Sequence, residues 1–301
     1  MFNFSINMDH QYKLILYCLV TFIALMLPYR LIAAENSSRP LSIFVSIPPQ
    51  AYFVERIGGN RVDVNVLIPS GKNPATYAPT PAQMSKLMRS RVYFRIGVPF
   101  ENAFTGKIAS LSKQVQIVDT RKGIRLRKMD GQNHSAEGGN DPHIWMSPVL
   151  VKIQAKTIYK TLVLLDPEGE VQYRTGLNSF LNDLDALDKK ISLALAPVKG
   201  RSIFVFHPVF GYFADTYGLK QIAVEMEGKS PKGKNLSKFI KKAKMDGVRV
   251  VFVQPQFDSN AASKIASAIN GVLVPLDPLN RNYIKNMEEM ADKIYEALQK
   301  K

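Results

Sequence analysis

Apolar positions along the chain fall into two alternating rhythms. Short runs rich in β-branched and aromatic residues, "LSIFVSI" (41–47), "VDVNVLI" (62–68), "RVYFRIGV" (91–98) and "VQIV" (115–118), are separated by segments of helical spacing around 49–57, 81–89 and 100–112. The rhythm returns later, where "SIFVF" (202–206), "QIAVE" (221–225), "VRVVFV" (248–253) and "GVLVPL" (271–276) are each followed by a helical segment, the last reaching the C-terminus. Apolar strands alternating with helices form parallel sheets with crossover helices. Each half therefore predicts one α/β lobe.

Between the halves the pattern changes twice. Residues 121–141 turn polar and Gly-rich around "DGQNHSAEGGN", which reads as a mobile surface loop. A helix resumes after Pro148, and "DP" at 166–167 supplies an acidic N-cap with proline at the first helical position. From there Tyr173, Leu177, Phe180, Leu184, Leu187, Ile191 and Leu195 recur at gaps of three or four, with Gly176 the one glycine in the interior. This predicts a single amphipathic helix of about 29 residues, about 43 Å long at 1.5 Å per residue. The expected fold is α/β: two lobes, each a central parallel sheet flanked by helices, joined by one long rigid helix. The expected divisions are a leader at 1–34, an N-terminal lobe at 35–165, the connecting helix at 166–198 and a C-terminal lobe at 199–301.

The leader rests on Leu14 to Leu27, an uncharged apolar run behind Lys13, too short for a membrane span and suited to a signal-peptide core. Cleavage near Ala34 fits an exported, periplasmic protein, although Ile32 is larger than such a site prefers, and an uncleaved anchor is the alternative. Cys18, the only cysteine, lies inside this run behind the bulky Tyr17, so the mature chain has no disulfide, thiolate ligand or cysteine nucleophile.

A formal charge of +15 raises the question of nucleic acid. The basic clusters "RKGIRLRK" (121–128) and "KSPKGKNLSKFIKKAK" (229–244) lack the interleaved aromatics that stack bases, so no nucleic-acid partner is expected. A solvated basic face with weak attraction to an anionic membrane surface is the reading of these clusters, and the chain is expected to be a monomer.

Four histidines, His10, His134, His143 and His207, are few enough to weigh singly. Open parallel sheets hold ligands beyond the carboxyl ends of their strands. His207 directly follows "SIFVF" and Asp277 directly follows "GVLVPL", each held before a proline; His143 sits in "NDPHIWMSP", in a loop leading into a helix. Two imidazoles and a carboxylate at such positions form a divalent-metal set, against the plainer readings of hydrogen-bonding histidines and a helix-capping aspartate.

"SIPPQAYFVERIGG", "GKNPATYAPTPAQM", "IGVPFENAF", "NDPHIWMSP", "FHPVFGYFADTYGL", "VFVQPQF" and "LDPL" together resemble the zinc- and manganese-type substrate-binding proteins of ABC metal importers, the cluster A-I family, in order from about residue 41 to the end. The resemblance implies a periplasmic solute-binding protein, not an enzyme, that captures a divalent cation, zinc ahead of manganese or iron, and delivers it to an inner-membrane ABC permease. It also implies that His143, His207 and Asp277 bind the metal. One departure matters: where the family places its first histidine, in a "PHTYEPTP"-like segment, this chain reads "PATYAPTP", with Ala75 at the ligand position. Glu225, Glu227 and, more weakly, Tyr77 are the candidate replacements, and water is the other. The family's histidine-rich loop is reduced to His134, which leaves the choice of metal open.

Four competing readings are testable. "GKSPKGKN" (228–235) has the glycine and lysine spacing of a phosphate loop, but Asn235 replaces the magnesium-holding hydroxyl and Pro231 removes a backbone donor. Ser147 lies four residues from His143 with no nucleophile elbow around it. A metal-dependent hydrolase on the same three ligands would need Glu225 or Glu227 as its base. A surface adhesin on the same fold would bind its target without the histidines.

Overall fold

The computed structural model describes residues 39–130, 139–224, 233–257 and 259–299. The expected leader, His134, Glu225 and Glu227 lie outside the described residues, as does most of the phosphate-loop lookalike. The chain from Leu41 onward forms one compact unit.

Within it, β1 (Leu41–Val45), α1 (Pro48–Gly58), β2 (Val62–Val66), α2 (Pro81–Leu87), β3 (Val92–Arg95), α3 (Thr105–Leu111) and β4 (Gln116–Asp119) build the first lobe. The second comprises β5 (Ser202–Val205), α6 (Gly211–Tyr217), β6 (Lys220–Ala223), α7 (Gly233–Met245), β7 (Val250–Val253), α8 (Ser259–Ala268), β8 (Val272–Pro275) and α9 (Tyr283–Gln299). Both sheets are four-stranded and wholly parallel, in the orders β2-β1-β3-β4 and β6-β5-β7-β8. The order reverses between β1 and β3 in one sheet and between β5 and β7 in the other. Those are the points where adjacent strands send their following loops to opposite faces and leave a crevice.

Local chemistry explains the element boundaries. Thr80 caps α2 by accepting from the Gln83 backbone N–H at 3.2 Å, and Gln83 returns the contact by accepting from the Thr80 N–H at 2.9 Å, with Pro81 opening the helix. The helix expected over 100–112 is divided: Pro99–Ala103 form a 3₁₀ turn and α3 starts afresh at Thr105, because Phe104, at φ −134°, leaves the helical region.

The long connector is α5 (Glu170–Leu195), 26 residues and hence about 39 Å, preceded by a 3₁₀ turn at Pro167–Gly169 and followed by another at Ala196–Val198. Its buried side chains are Tyr173, Leu177, Phe180, Leu184, Leu187, Ile191 and Leu195, the stripe read from the spacing. Gly176 has a packing reason: a Cβ there would come within 2.5 Å of the Ile57 carbonyl oxygen, so α5 and α1 touch backbone to backbone. Asp166 anchors the start of the strut by accepting two 2.7 Å hydrogen bonds from Arg61 and one from the Tyr173 hydroxyl.

The lobes are not independent bodies. One continuous apolar core runs from Ile43 and Phe94 in the first sheet through Trp145, Phe180 and Leu187 to Val205, Tyr283 and Ile294 in the second lobe. A smaller cluster, including Phe204, Phe239, Val251 and Ile265, packs β5 and β7 against α7 and α8. Phe53 of α1 meets Tyr283 of α9 edge to face at 4.9 Å, so the last helix closes back onto the first. No helix among the described residues is long and apolar enough to cross a membrane.

Candidate metal site

The carboxyl ends of both sheets open on one cavity of about 380 Å³. Arg95, the last residue of β3, and Gly97 line it from the first lobe. His207 after β5 and Gln254 after β7 line it from the second, so both crevices meet there.

His143 enters through the segment between β4 and α4 (Pro148–Leu165) and stands just before the 3₁₀ turn Ile144–Met146. It is 7% exposed. The fully buried Asp141 carboxylate holds it twice: Oδ1 accepts the His143 backbone N–H at 2.9 Å and pairs with ring Nδ1 at 2.7 Å. With Nδ1–H on the carboxylate, the lone pair of Nε2 is the free donor, the arrangement that carboxylate–histidine pairs impose on metal-binding imidazoles. Burial works against ionisation of Asp141, but the attraction and hydrogen bonds of His143 and the Arg127 guanidinium hold its carboxyl below the ordinary value.

Arg127 is the outer member of this chain. It reaches Asp130 and Asp141, each at 3.0 Å, and Asp215 at 2.9 Å, and lies over the Tyr212 ring at 5.9 Å. Burial pushes the Tyr212 hydroxyl up to about 12. It stays protonated and donates to the Asp141 carbonyl at 3.0 Å, while accepting the Arg127 backbone N–H at 3.0 Å. The described flanks of the 121–141 loop are thus anchored to α6, where composition suggested a mobile surface loop.

His207 is half-buried. Its ring stacks on Phe257 at 4.6 Å and 26°, and its backbone N–H donates to the Gln254 side-chain oxygen at 3.2 Å. The His143 and His207 rings meet edge to face, 82° apart in plane and 5.3 Å between centroids. Trp145, 1% exposed, sits edge-on to His143 at 5.2 Å and donates from Nε1 to the Pro278 carbonyl at 2.8 Å, and Tyr283 donates to the Trp145 carbonyl at 2.7 Å. These buried hydrogen bonds tie the segment carrying His143 directly to the second lobe.

The third expected ligand is placed differently. Asp277 does not line the cavity, although Pro278 and Leu279 do. Its Oδ1 accepts from Gln256 Nε2 at 2.6 Å and from the Leu279 N–H at 3.0 Å. Tyr77 is also outside the lining: its hydroxyl donates to Gln83 at 2.7 Å and its ring meets Phe100. Ala75 does line the cavity, as the departure from the family pattern places it. Among the described residues no group of three His, Cys, Asp or Glu is gathered closely enough to hold a metal ion. The structure brings the two histidines into one cavity, with Asp277 one hydrogen bond beyond its wall, on Gln256.

Reasoning from sequence missed Asp141, Arg127, Gln254 and Gln256 as parts of the site. The two glutamines stood in "VFVQPQF", beyond a strand end, where a search for carboxylates and imidazoles passes over amides.

A family model described as ZnuA, zinc-uptake complex component A, periplasmic, matches residues 43–297. The chain belongs to that family. Its members are components of an uptake complex, so the chain is a metal-binding solute-binding protein of transport, not an enzyme. It is similar to the high-affinity zinc uptake system protein ZnuA of Bacillus subtilis (strain 168), 26% identical over 88% of this chain and 90% of that protein. A crystal structure of ZnuA superimposes with a TM-score of 0.81 at 38% identity, covering 86% of this chain and 99% of the other. A ZnuA deletion mutant solved with zinc bound gives a TM-score of 0.80 at 39% identity, covering 86% and 98%. The two-lobed fold of this zinc-uptake family, with its long connecting helix, is thus the fold of this chain.

Proposed function

We propose that the chain captures a divalent transition-metal cation in the periplasm, zinc ahead of manganese or iron(II), and hands it to an inner-membrane ABC permease. One observation carries the reading: two imidazoles, one from each lobe, line a single cavity and meet edge to face with ring centroids 5.3 Å apart. On a tetrahedral zinc with Zn–N distances of about 2.0–2.1 Å, two imidazole ring centres lie about 5 Å apart, so the pair is already spaced for one ion. His143 and His207 are the primary ligands. Asp277 is the third, reached when its Oδ1 leaves Gln256, and Glu225 and Glu227 stand as replacements for the family histidine absent at Ala75. Zinc-uptake relatives, one of them solved with zinc bound, support zinc over the other metals.

The test is a competitive titration of the metal-free mature chain with zinc, manganese and iron(II), read by Trp145 fluorescence and calorimetry. Zinc is expected to bind tightest, with His143→Ala and His207→Ala each abolishing the signal. Unchanged affinity in both variants would remove the site.

A further inference from the structure

The basic clusters read from the sequence are not where unpaired charge gathers. Within 121–128, Arg121 is held by Asp119, and Arg127 by Asp130, Asp141 and Asp215. Charge collects instead where the strands of the second sheet begin. The segments leading into β5, β6, β7 and β8 (196–201, 217–220, 242–249 and 269–271) carry Lys199, Arg201, Lys220, Lys242, Lys244 and Arg249 against one carboxylate, Asp246, which Lys242 holds at 2.7 Å. All six cations are exposed, and apart from Lys242 none is ion-paired among the described residues. Parallel pairing sets the segments side by side: the Lys220 N–H donates to the Arg201 carbonyl at 2.9 Å, and the Val272 N–H to the Arg249 carbonyl at 2.7 Å.

Two further features separate this edge from a solvated basic face. Met245 and Val272 are 75% and 59% exposed, among the few large apolar side chains left in water, and they stand between Lys244 and Asp246 and beside Arg249. The second feature is a crevice. β5 and β7 share one register pair, Val205 with Phe252, whereas β5 with β6 and β7 with β8 share four each. The ladder stops short of Ile203 and Val250, and toward the amino ends lies a cavity of about 300 Å³, lined by Arg201 and Ser202 on one side and by Asp246, Gly247 and Arg249 on the other. Arg249 is oriented there by donating Nη1 to the Asn270 carbonyl at 3.2 Å. Two arginines across one crevice suit a phosphate, whose oxygens accept paired N–H donors. Cations interspersed with exposed apolar side chains suit anionic lipid, where charge attracts and apolar tips enter the interfacial zone.

We propose that this edge of the second lobe docks on an anionic phospholipid surface, with a lipid phosphate held at the crevice by Arg201 and Arg249 and with Met245 and Val272 set among the headgroups. The metal cavity lies at the other end of the same strands, beyond β5, β7 and β8. Docking therefore leaves that cavity on the side away from the lipid, and the chain gathers at the membrane with its cavity toward the solution. The docking does not depend on the metal reading, and its test reads lipid binding rather than zinc.

Co-sedimentation of the mature chain with vesicles supplies the test. Vesicles of phosphatidylglycerol mixed with phosphatidylcholine are expected to bind it, and vesicles of phosphatidylcholine alone are not. Each Lys or Arg near such a surface is worth roughly fivefold in binding, so Arg201→Gln with Arg249→Gln should lose at least about tenfold. Arg91→Gln with Lys113→Gln removes the same charge from strand entries of the first lobe and should lose less than about twofold. A polarity-sensitive fluorophore attached through Met245→Cys, in a mature chain with no other cysteine, should shift to the blue on the mixed vesicles. Equal losses in the two double variants would mean that net charge alone attracts the chain, and would overturn the proposal. So would binding undiminished on phosphatidylcholine, or release by inorganic phosphate at an ionic strength where chloride does not release it, which would assign the crevice to a soluble anion. Zinc retention is expected to be the same in all these variants, so failure here leaves the metal reading standing.

Discussion

The two histidines of the site are built to different standards. His143 is 7% exposed, fixed at two atoms by a buried carboxylate that is itself held by Arg127, and flanked by Trp145, which is hydrogen-bonded into the other lobe. His207 is half-buried, stands two residues beyond the end of β5, and its ring is stacked on Phe257. One imidazole is held by hydrogen bonds to a buried carboxylate, the other by stacking on Phe257 and by its backbone N–H on Gln254. The difference teaches where specificity and adjustment reside. On the metal reading proposed above, the buried imidazole sets the position and tautomer of the first metal bond, and the second lobe, with the amides of Gln254 and Gln256, adapts to what completes the coordination.

The widest separation between the two histidines should appear in stability. Both alanine variants are expected to weaken zinc binding by more than 100-fold, beyond the roughly 10–100-fold that loss of a supporting partner costs. His143→Ala also leaves Asp141 buried with one partner fewer, a loss of about 1–3 kcal/mol. At about 2–4 °C per kcal/mol for a chain of this class, the melting temperature of its metal-free form should fall by several degrees. His207→Ala, which gives up the stacked contact with Phe257, should show the smaller fall. Equal melting shifts in the two variants would erase the contrast.

Asp141→Asn probes the support of the rigid ligand. The amide can present its NH₂ to ring Nδ1 and so favour the wrong tautomer, and zinc affinity is expected to fall by about 10–100-fold with the fold intact. Acid sensitivity gives an independent reading. Because the Asp141 carboxyl is held below its ordinary value in the folded chain, its ionised form contributes stability that is present above the unfolded pKa of about 3.9 and lost as pH falls through the lower folded value. The stability gap between parent and variant should thus be full at pH 7 and close at acid pH. A gap that persists unchanged to pH 2 would show that the carboxylate charge is not what stabilises the segment.

Most of the architecture was legible because it depends on period. The seven buried positions of α5 follow from spacing alone, since a helix of that length has one face to bury, and the central strands β1, β3, β5 and β7 were marked by apolar runs that suit a sheet covered on both sides. His143 and His207 were legible because strand ends in parallel sheets converge. Much of what surrounds the histidines was not legible, since it depends on contacts across the sequence: Arg127 with Asp215, Trp145 with Pro278, Gln256 with Asp277. The charge of the cavity wall was equally hidden. Arg95 and Arg121 sat among strand and loop residues, with nothing local to show that they would face the same space as two imidazoles.

The smallest expected effect concerns the adaptable ligand. Phe257 supports His207 through one stacked contact at 4.6 Å, and no hydrogen bond between the two side chains accompanies it among the described residues. Such aromatic pairs contribute about 0.5–1.5 kcal/mol beyond the area they bury, so Phe257→Ala is expected to weaken zinc binding by roughly 2–10-fold. If stacking limits only how long His207 dwells in its binding orientation, the loss should fall on the dissociation rate and leave association nearly unchanged. Phe257→Tyr, which keeps the ring, should restore the parent value. A loss as large as that of Asp141→Asn would mean that His207 is held as rigidly as His143, and the division of labour between the lobes would have to be abandoned.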